Sequence, residues 1–477
     1  MGVGPHAQLI NEDTILLEET AKTFSGALLQ PADAAFDQAR RVHNGLIDKH
    51  PAIIARCQGV ADVADAVRLA RDQNLEVSVR GGGHNVAGRA VADGGLMIDL
   101  SPMKAIHVDA TARVARAQGG VLWREFNRET QVHGLATTGG VVGSTGIAGL
   151  TLGGGLGWLM PKYGLALDNL RSATMVLADG TVATASADEN PDLFWAIRGG
   201  GGNFGVAAWL DYNLHHVGPV ITGGLVAHPI QKAFDVLRFF RDTCATLPDE
   251  MMMAAGLITA HDGSGAKLVG MLAAHCGSLA DGEKAVAPIK AFGPPVMDVL
   301  GPIPYTVQNG LLDDAFPRGA RNYWKAQFLS ELSDDAIRAL IDAYQSCRSP
   351  MSQMILEHFH GAACRVPVDA TACTLRTAGF NVVIASQWMD PAATDDCICW
   401  ARDTYSSLRP YLGTTRYVNY LEDDSGAGDP AAEVYGPNYA RLRELKAKYD
   451  PDNVFRHNVN IRGLSPPTGS VPPTKWD

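Results

Sequence analysis

The chain has 477 residues, 46% of them hydrophobic and 19% charged, and a formal charge of −11. That length predicts two or three domains, and that balance predicts a soluble globular protein with a large core. There is no basic block to meet nucleic acid, no run of about 18 apolar residues to cross a membrane, and no signal-peptide pattern in "MGVGPHAQLINEDT", so a cytoplasmic protein is expected.

The first helical pattern is "EDTILLEETAKTF". "AIIARC" reads as a strand, and "GVADVADAVRLARDQN" places Val60, Val63, Val67 and Ala70 at helical spacing. "LEVSVR" alternates as a strand should, and it runs into the loop "GGGHNVAG", residues 81–88. The helix "VLWREFNRETQVHG" follows. Residues 138–168 are small and apolar and rich in glycine, which suits a backbone wrapped around a flat or extended ligand. "LRSATMVLADGTVATAS" reads as a hairpin turning at Asp179-Gly180, and "FWAIRGGGGNFGV" holds another glycine run.

After about residue 225 the composition changes. Amphipathic helices ("KAFDVLRFFRDTCATL", "LADGEKAVAPIKAF", "SDDAIRALIDAYQSC") alternate with strands ("MMMAAGLITA", "KLVGMLAAHCG", "SQMILEHFHG", "FNVVIASQW"). This predicts an antiparallel sheet backed by helices, a domain of its own. The character changes again near 414, and the proline-rich tail "LSPPTGSVPPTKWD" is expected to lie extended on the surface.

Several chemistries are weighed against these residues. Gly200, Gly202 and Gly205 match G-x-G-x-x-G, but a strand-like segment follows where a nucleotide-binding helix is needed. His358 and His360 stand two apart with no third ligand in view, and no metal is expected. The eight cysteines are scattered without a C-x-x-C pair and read as buried free thiols. No nucleophile elbow, P-loop or H-E-x-x-H appears. Three glycine segments between Gly81 and Gly205, one ending in His84, fit a long phosphate-bearing cofactor held by backbone amides, as FAD is.

"VRGGGHNVAGRAVADGGLMIDLSPMKAIHVD", "GIAGLTLGGGLGWLMPKYGLALDNL" and "FWAIRGGGGNFGV" resemble the FAD-binding domain of the vanillyl-alcohol oxidase/p-cresol methylhydroxylase superfamily. "YGPNYARLRELKAKYDPDNVFRHNVNI" resembles the C-terminal signature of its berberine-bridge-enzyme-like branch, and the loops are similar to those of bacterial 6-hydroxynicotine-oxidase-like members. The resemblance implies an α+β fold: a two-part FAD domain (1–225, core 46–220, completed by 410–477) and a substrate domain (226–409) laid over the flavin.

It also implies residue roles. His84 would be bonded through its ring to the flavin 8α-methyl, and a neutral imidazole is a suitable nucleophile for that. Many relatives add a cysteine link, but Val142 stands at that position here, so a mono-covalent FAD is expected. Thr145 falls where the family controls oxygen access. Further cofactor contacts would come from Arg80, Gly81, Gly82, Gly83, Asn85 and Gly88, from Ser144, Gly146, Gly149, Gly154, Gly155 and Gly157, from Gly205 and Val206, and from Asn458 and Asn460. "RYVNY" matches the family's Y-x-N-[YF] motif, giving catalytic Tyr417 and Asn419 on one face of a strand, although a phenol near pKa 10 is a poor base at neutral pH. Glu357, His358, His360, Gln387, Trp388 and Tyr420 are candidates for the substrate pocket. In "TACTLR" Leu375 replaces a family histidine. The expected enzyme is an FAD-dependent oxidoreductase that removes a hydride from a C–H beside O or N of a small organic molecule. Dioxygen is the expected acceptor, with a dehydrogenase or flavin monooxygenase as the alternatives.

Overall fold

The computed structural model describes residues 12–260, 262–422 and 429–464. The proline-rich tail beyond Leu464 and the first eleven residues lie outside these.

A four-stranded sheet runs in the order Ala27–Leu29, Ile53–Arg56, Leu96–Asp99, Val77–Arg80, and its last three strands are parallel. The helix Val60–Asp72 carries the chain from Ile53–Arg56 over to the parallel strand Val77–Arg80, leaving room between them for Leu96–Asp99. Its helically spaced Val63, Val67 and Ala70 are fully enclosed and pack on Ile53, Val77, Leu96 and Ile98. A five-stranded antiparallel sheet stands beside it, in the order Ile106–Asp109, Val114–Gln118, Val206–Asn213, Leu170–Val176, Val182–Ser186.

The remaining large sheet has eight strands, all antiparallel. Its strand Val220–Pro229 runs across the expected division at residue 225. Both faces are covered. Met251, Met253, Ala255 and Leu257 meet the helices Ala233–Cys244, Leu279–Ala291, Asp334–Gln345 and Thr394–Leu408, while Met252 and Ala254 meet Trp158, Leu159 and Leu165 of the glycine-rich segment. A strand buried on both faces loses its polar alternation. That is why the strand Arg321–Phe328 has no clear pattern in the sequence.

Two local expectations change. Within the glycine-rich stretch, Ile147–Gly153 forms a short helix, which stops at Gly154 where φ is +143°. Tyr417 is extended, but Val418–Tyr420 turns as a 3-10 helix instead of continuing a strand, because Tyr420 N–H donates to the Tyr417 carbonyl at 3.0 Å.

Candidate active site

The strand Val77–Arg80 delivers its chain into the loop that carries His84. Arg80 is buried, paired with Asp99 (Nε to Oδ1, 2.9 Å), and donates to the Arg41 carbonyl at 3.2 Å. It holds the loops together and does not line the cavity beyond them. A Cβ on Gly82 would sit 2.3 Å from the backbone nitrogen of Gly146, so two loops touch there with no room for a side chain.

Between these loops, the Gly201–Val206 turn and the C-terminal residues His457–Val459 lies a cavity of about 280 Å³. Among the expected cofactor residues, Gly81, Gly82, Gly83, His84, Asn85, Val142, Thr145, Gly146, Gly149, Gly205, Val206 and Asn458 line it. The others stand behind. Gly88 packs on Ile47, Gly157 on the Gly139 backbone, and Gly154 on the Tyr417 ring. Ser144 bonds to His84, Gly155 bonds to Tyr417, and Asn460 is set off the cavity.

His84 is gripped on two sides. The His43 ring stacks on it at 3.8 Å between centroids, and Ser144 Oγ lies 2.8 Å from its Nε2. Thr145 Oγ1 lies 3.4 Å from its Nδ1. Burial pushes the His84 imidazole well below its usual pKa, and His43, Arg318 and Arg124 push the same way. Burial and Arg318 bring His43 down to about 4. Both rings are therefore neutral at pH 7.

At the other end, Tyr417 is buried with its hydroxyl between two donors. The N–H of Gly155 reaches it at 2.9 Å and Asn419 Nδ2 at 2.8 Å. A phenol oxygen has two lone pairs, and both are used. Burial raises the Tyr417 pKa against these two bonds, so the group stays protonated. With both lone pairs taken, the O–H proton of Tyr417 is left to donate.

A carboxyl group stands beside it. The ring of Tyr420 meets that of Tyr417 edge-on at 4.9 Å, and its hydroxyl donates to Glu357 Oε1 at 3.0 Å. Asn381 Nδ2 donates to Glu357 Oε2 at 2.8 Å. Burial raises the Glu357 pKa, opposed by these two bonds.

The other substrate candidates are elsewhere. Side chains alternate along a strand, so with Glu357 turned to the cavity side His358 faces the helices, stacked on His360 at 4.5 Å and against Phe380. His360 reaches the Pro248 carbonyl at 3.4 Å. Trp388 bonds to Thr394 at the helix start, also on the far face. Gln387 is on the near face but is covered by residues 313–316, whose Ala315 carbonyl it holds at 2.9 Å.

Sequence reasoning missed the side chains that do wall this end, Phe316 and Trp324, whose rings meet at 5.6 Å. The density of rings in "FPRGARNYWKAQF" was their one signal. It also missed His43, Asn381 and Tyr435. Leu375, in place of the family histidine, is buried among apolar residues, and its neighbour Arg376 pairs with Asp168.

The segment from Asn309 to Asn322 ties the large sheet to the loops around His43 and Gly140. Asn309 Nδ2 donates to the Gly140 carbonyl at 2.8 Å, and Asp313 accepts from Gly143 N–H at 2.6 Å. Its far end meets the His43 loop: Gly319 N–H donates to the His43 carbonyl at 2.9 Å, and Asn44 and Asn322 exchange two bonds at 2.8 and 2.9 Å.

The cavity suits a long cofactor. Its glycines leave backbone amides bare, and the buried Tyr435 hydroxyl on its wall has no partner among the described residues. A family model described as an FAD binding domain matches residues 51–186, and one described as berberine and berberine like matches 416–462. The (R)-6-hydroxynicotine oxidase of Paenarthrobacter nicotinovorans is 33% identical over 452 residues, covering 93% of this chain and 98% of that one.

The chain belongs to the berberine-bridge-enzyme-like FAD-linked oxidoreductases.

The solved 6-hydroxy-D-nicotine oxidase of Arthrobacter nicotinovorans superposes with a TM-score of 0.84 at 30% identity, covering 92% of this chain and 98% of that one. The glucooligosaccharide oxidase of Sarocladium strictum is 28% identical, covering 92% and 94%. As a berberine-bridge-like enzyme, this chain is an FAD-linked oxidoreductase with the α+β architecture of that family. Among its described residues no helix is long and apolar enough to cross a membrane.

Proposed function

We propose that this enzyme is an oxidase with FAD attached to His84 alone, acting on a small ring substrate with a C–H beside an O–H or N–H. The carrying observation is the buried Glu357–Tyr420 pair against the ring of Tyr417. FAD, held by the glycine loops and His84, would supply the hydride acceptor and the route for the electron pair to dioxygen, giving peroxide.

The protein's part is proton handling and orientation. As hydride leaves, the substrate's O–H or N–H proton needs an acceptor. Tyr420 takes that proton on its oxygen while its own passes to the Glu357 carboxylate, which burial makes a stronger base than an exposed one. Tyr417 donates to the substrate heteroatom, held in place by Gly155 and Asn419. Four rings, Phe316, Trp324, Tyr417 and Tyr420, exclude water and fit a largely apolar ring better than a polyol chain. Thr145, beside His84 on the cavity wall, is small enough to leave dioxygen a way in.

An anaerobic screen of flavin reduction over alcohols, sugars, amines, N-heterocycles and phenols tests this. Bleaching by a ring amine or phenol, with peroxide on admitting air, is expected. Bleaching by sugars alone would overturn the substrate class, and reoxidation without peroxide would overturn the acceptor.

A further inference from the structure

His84 has two ring nitrogens, and its surroundings treat them differently. Nε2 is 2.8 Å from Ser144 Oγ, a full hydrogen bond. Nδ1 has only the looser contact to Thr145 Oγ1 at 3.4 Å. Thr145 lines the cavity and Ser144 does not, so Nδ1 is the nitrogen on the cavity side. A neutral imidazole carries one N–H and one lone pair, and only the lone pair can attack carbon.

The geometry points to Ser144 as the positioning residue for cofactor attachment: its hydroxyl accepts from Nε2–H, fixes that tautomer, and leaves the Nδ1 lone pair facing the flavin. This rests on the reading that His84 carries the flavin.

The step balances as follows. The 8α-methyl loses one proton, and Nδ1 forms a bond to that carbon. The Nε2 proton departs through Ser144, which is partly exposed. The two electrons of the broken C–H bond stay on the flavin, which is thereby reduced with these two protons. Dioxygen then takes both electrons and both protons, giving peroxide and the oxidised, attached cofactor.

Ser144 is itself held by the tie from the segment 309–322. Asp313 fixes the neighbouring Gly143 N–H at 2.6 Å, and the Thr145 N–H donates to the Val142 carbonyl at 3.0 Å. The His43 ring stacks on one face of His84 at 3.8 Å and hinders its imidazole from turning over.

The test compares wild type, Ser144→Ala, Ser144→Thr and His84→Ala, each purified with its flavin and incubated aerobically with added FAD. The readout is the fraction of flavin that stays with the acid-precipitated protein over time. Attachment in Ser144→Ala is expected to slow roughly 10-fold or more, the scale seen when a group that orients a metal-ligating histidine is lost. Its non-covalent FAD binding should persist, which separates this loss from misfolding. Ser144→Thr keeps a hydroxyl and should attach FAD at close to the wild-type rate. Attachment by Ser144→Ala at the wild-type rate would overturn the proposal while leaving the His84 link intact. So would a threonine variant as slow as the alanine one. Full release of flavin from wild type would instead overturn the link, and the proposal with it.

Discussion

The hydroxyl of Tyr420 donates to Glu357 Oε1 at 3.0 Å, from a turn in the C-terminal segment to a strand of the large sheet. In the proposed proton path each of these two elements contributes one half. Neither half is useful alone. A buried carboxyl without a partner would be costly and slow to exchange protons, and a buried phenol without an acceptor stays protonated.

Glu357→Gln keeps the shape of the site and removes the acceptor. The rate of flavin reduction by a bleaching substrate should fall roughly 100-fold or more, the size of a lost general base. FAD content should not change, since Glu357 is not on the cofactor wall. A loss below about threefold would remove Glu357 from the proton path.

The pH dependence has a definite sign. A base works only when ionised, and burial raises the Glu357 pKa. The reduction rate should therefore rise with pH, with its acidic limb above the ordinary carboxylate range. Stopped-flow reduction across pH should show that limb in wild type and not in Glu357→Gln. An identical limb in both would place the titration elsewhere.

Tyr417→Phe probes orientation. The lone pairs of that hydroxyl are occupied by Gly155 and Asn419, so its loss removes a donor to substrate and not a base. We expect a reduction rate roughly tenfold lower and weaker substrate binding, with the acidic limb unchanged. Loss of the limb in this variant would return the base role to Tyr417.

Gly82→Ala tests the contact of the two cofactor loops. The added methyl would meet Gly146 nitrogen at 2.3 Å and its Cα at 2.7 Å, both backbone atoms with no side-chain freedom to yield. Overpacking of this kind costs about 1–3 kcal/mol or more, and here it falls on the cofactor wall. Colourless protein, or weak and releasable FAD, is expected. Normal flavin content would show that the loops can part.

Lys446 is fully buried and pairs with Asp450, while donating to the carbonyls of Asn203 (2.8 Å) and Phe455 (3.1 Å). It locks the C-terminal segment onto the third glycine run. Lys446→Met leaves the buried Asp450 carboxylate with only the Val454 and Phe455 N–H donors and no counter-charge, and should cost about 3–5 kcal/mol in denaturant unfolding. Adding Asp450→Asn should recover part of that loss. If the double variant is no more stable than the single, the stranded charge is not the cause.

The cofactor half of the site is written plainly in the sequence. Turns such as Gly83 at φ +71° and contacts such as Gly82 on Gly146 admit almost no other residue, so function and local geometry leave one mark. The substrate half is not. Around Glu357, both neighbours in "LEHF" are buried on a sheet covered on both sides, and nothing local says which face meets the flavin. Hence Glu357 and His358 looked equivalent, although they point in opposite directions. Phe316 and Trp324 reach the site through the path of the segment around them, which no local pattern encodes. Tyr417 was found by its motif, but the two donors that fill its oxygen come from the Gly155 backbone and from Asn419, and only packing brings the former there.

The segment from Asn309 to Asn322 fastens itself by the short polar side chains of Asn309 and Asp313 and by the backbone of Gly319 and Asn322, the latter held by the Asn44 side chain. Phe316 within it and Trp324 just beyond it place rings on the cavity wall, and the Trp324 indole bonds to Asn322 Oδ1 at 3.1 Å inside its own strand, not to a flavin loop. Support and selectivity are therefore written in separate letters. An altered diet for this enzyme needs only new side chains at a few places, while the bolts that keep both halves in register stay as they are. Chains sharing this frame can diverge in what they oxidise and still assemble the same chamber.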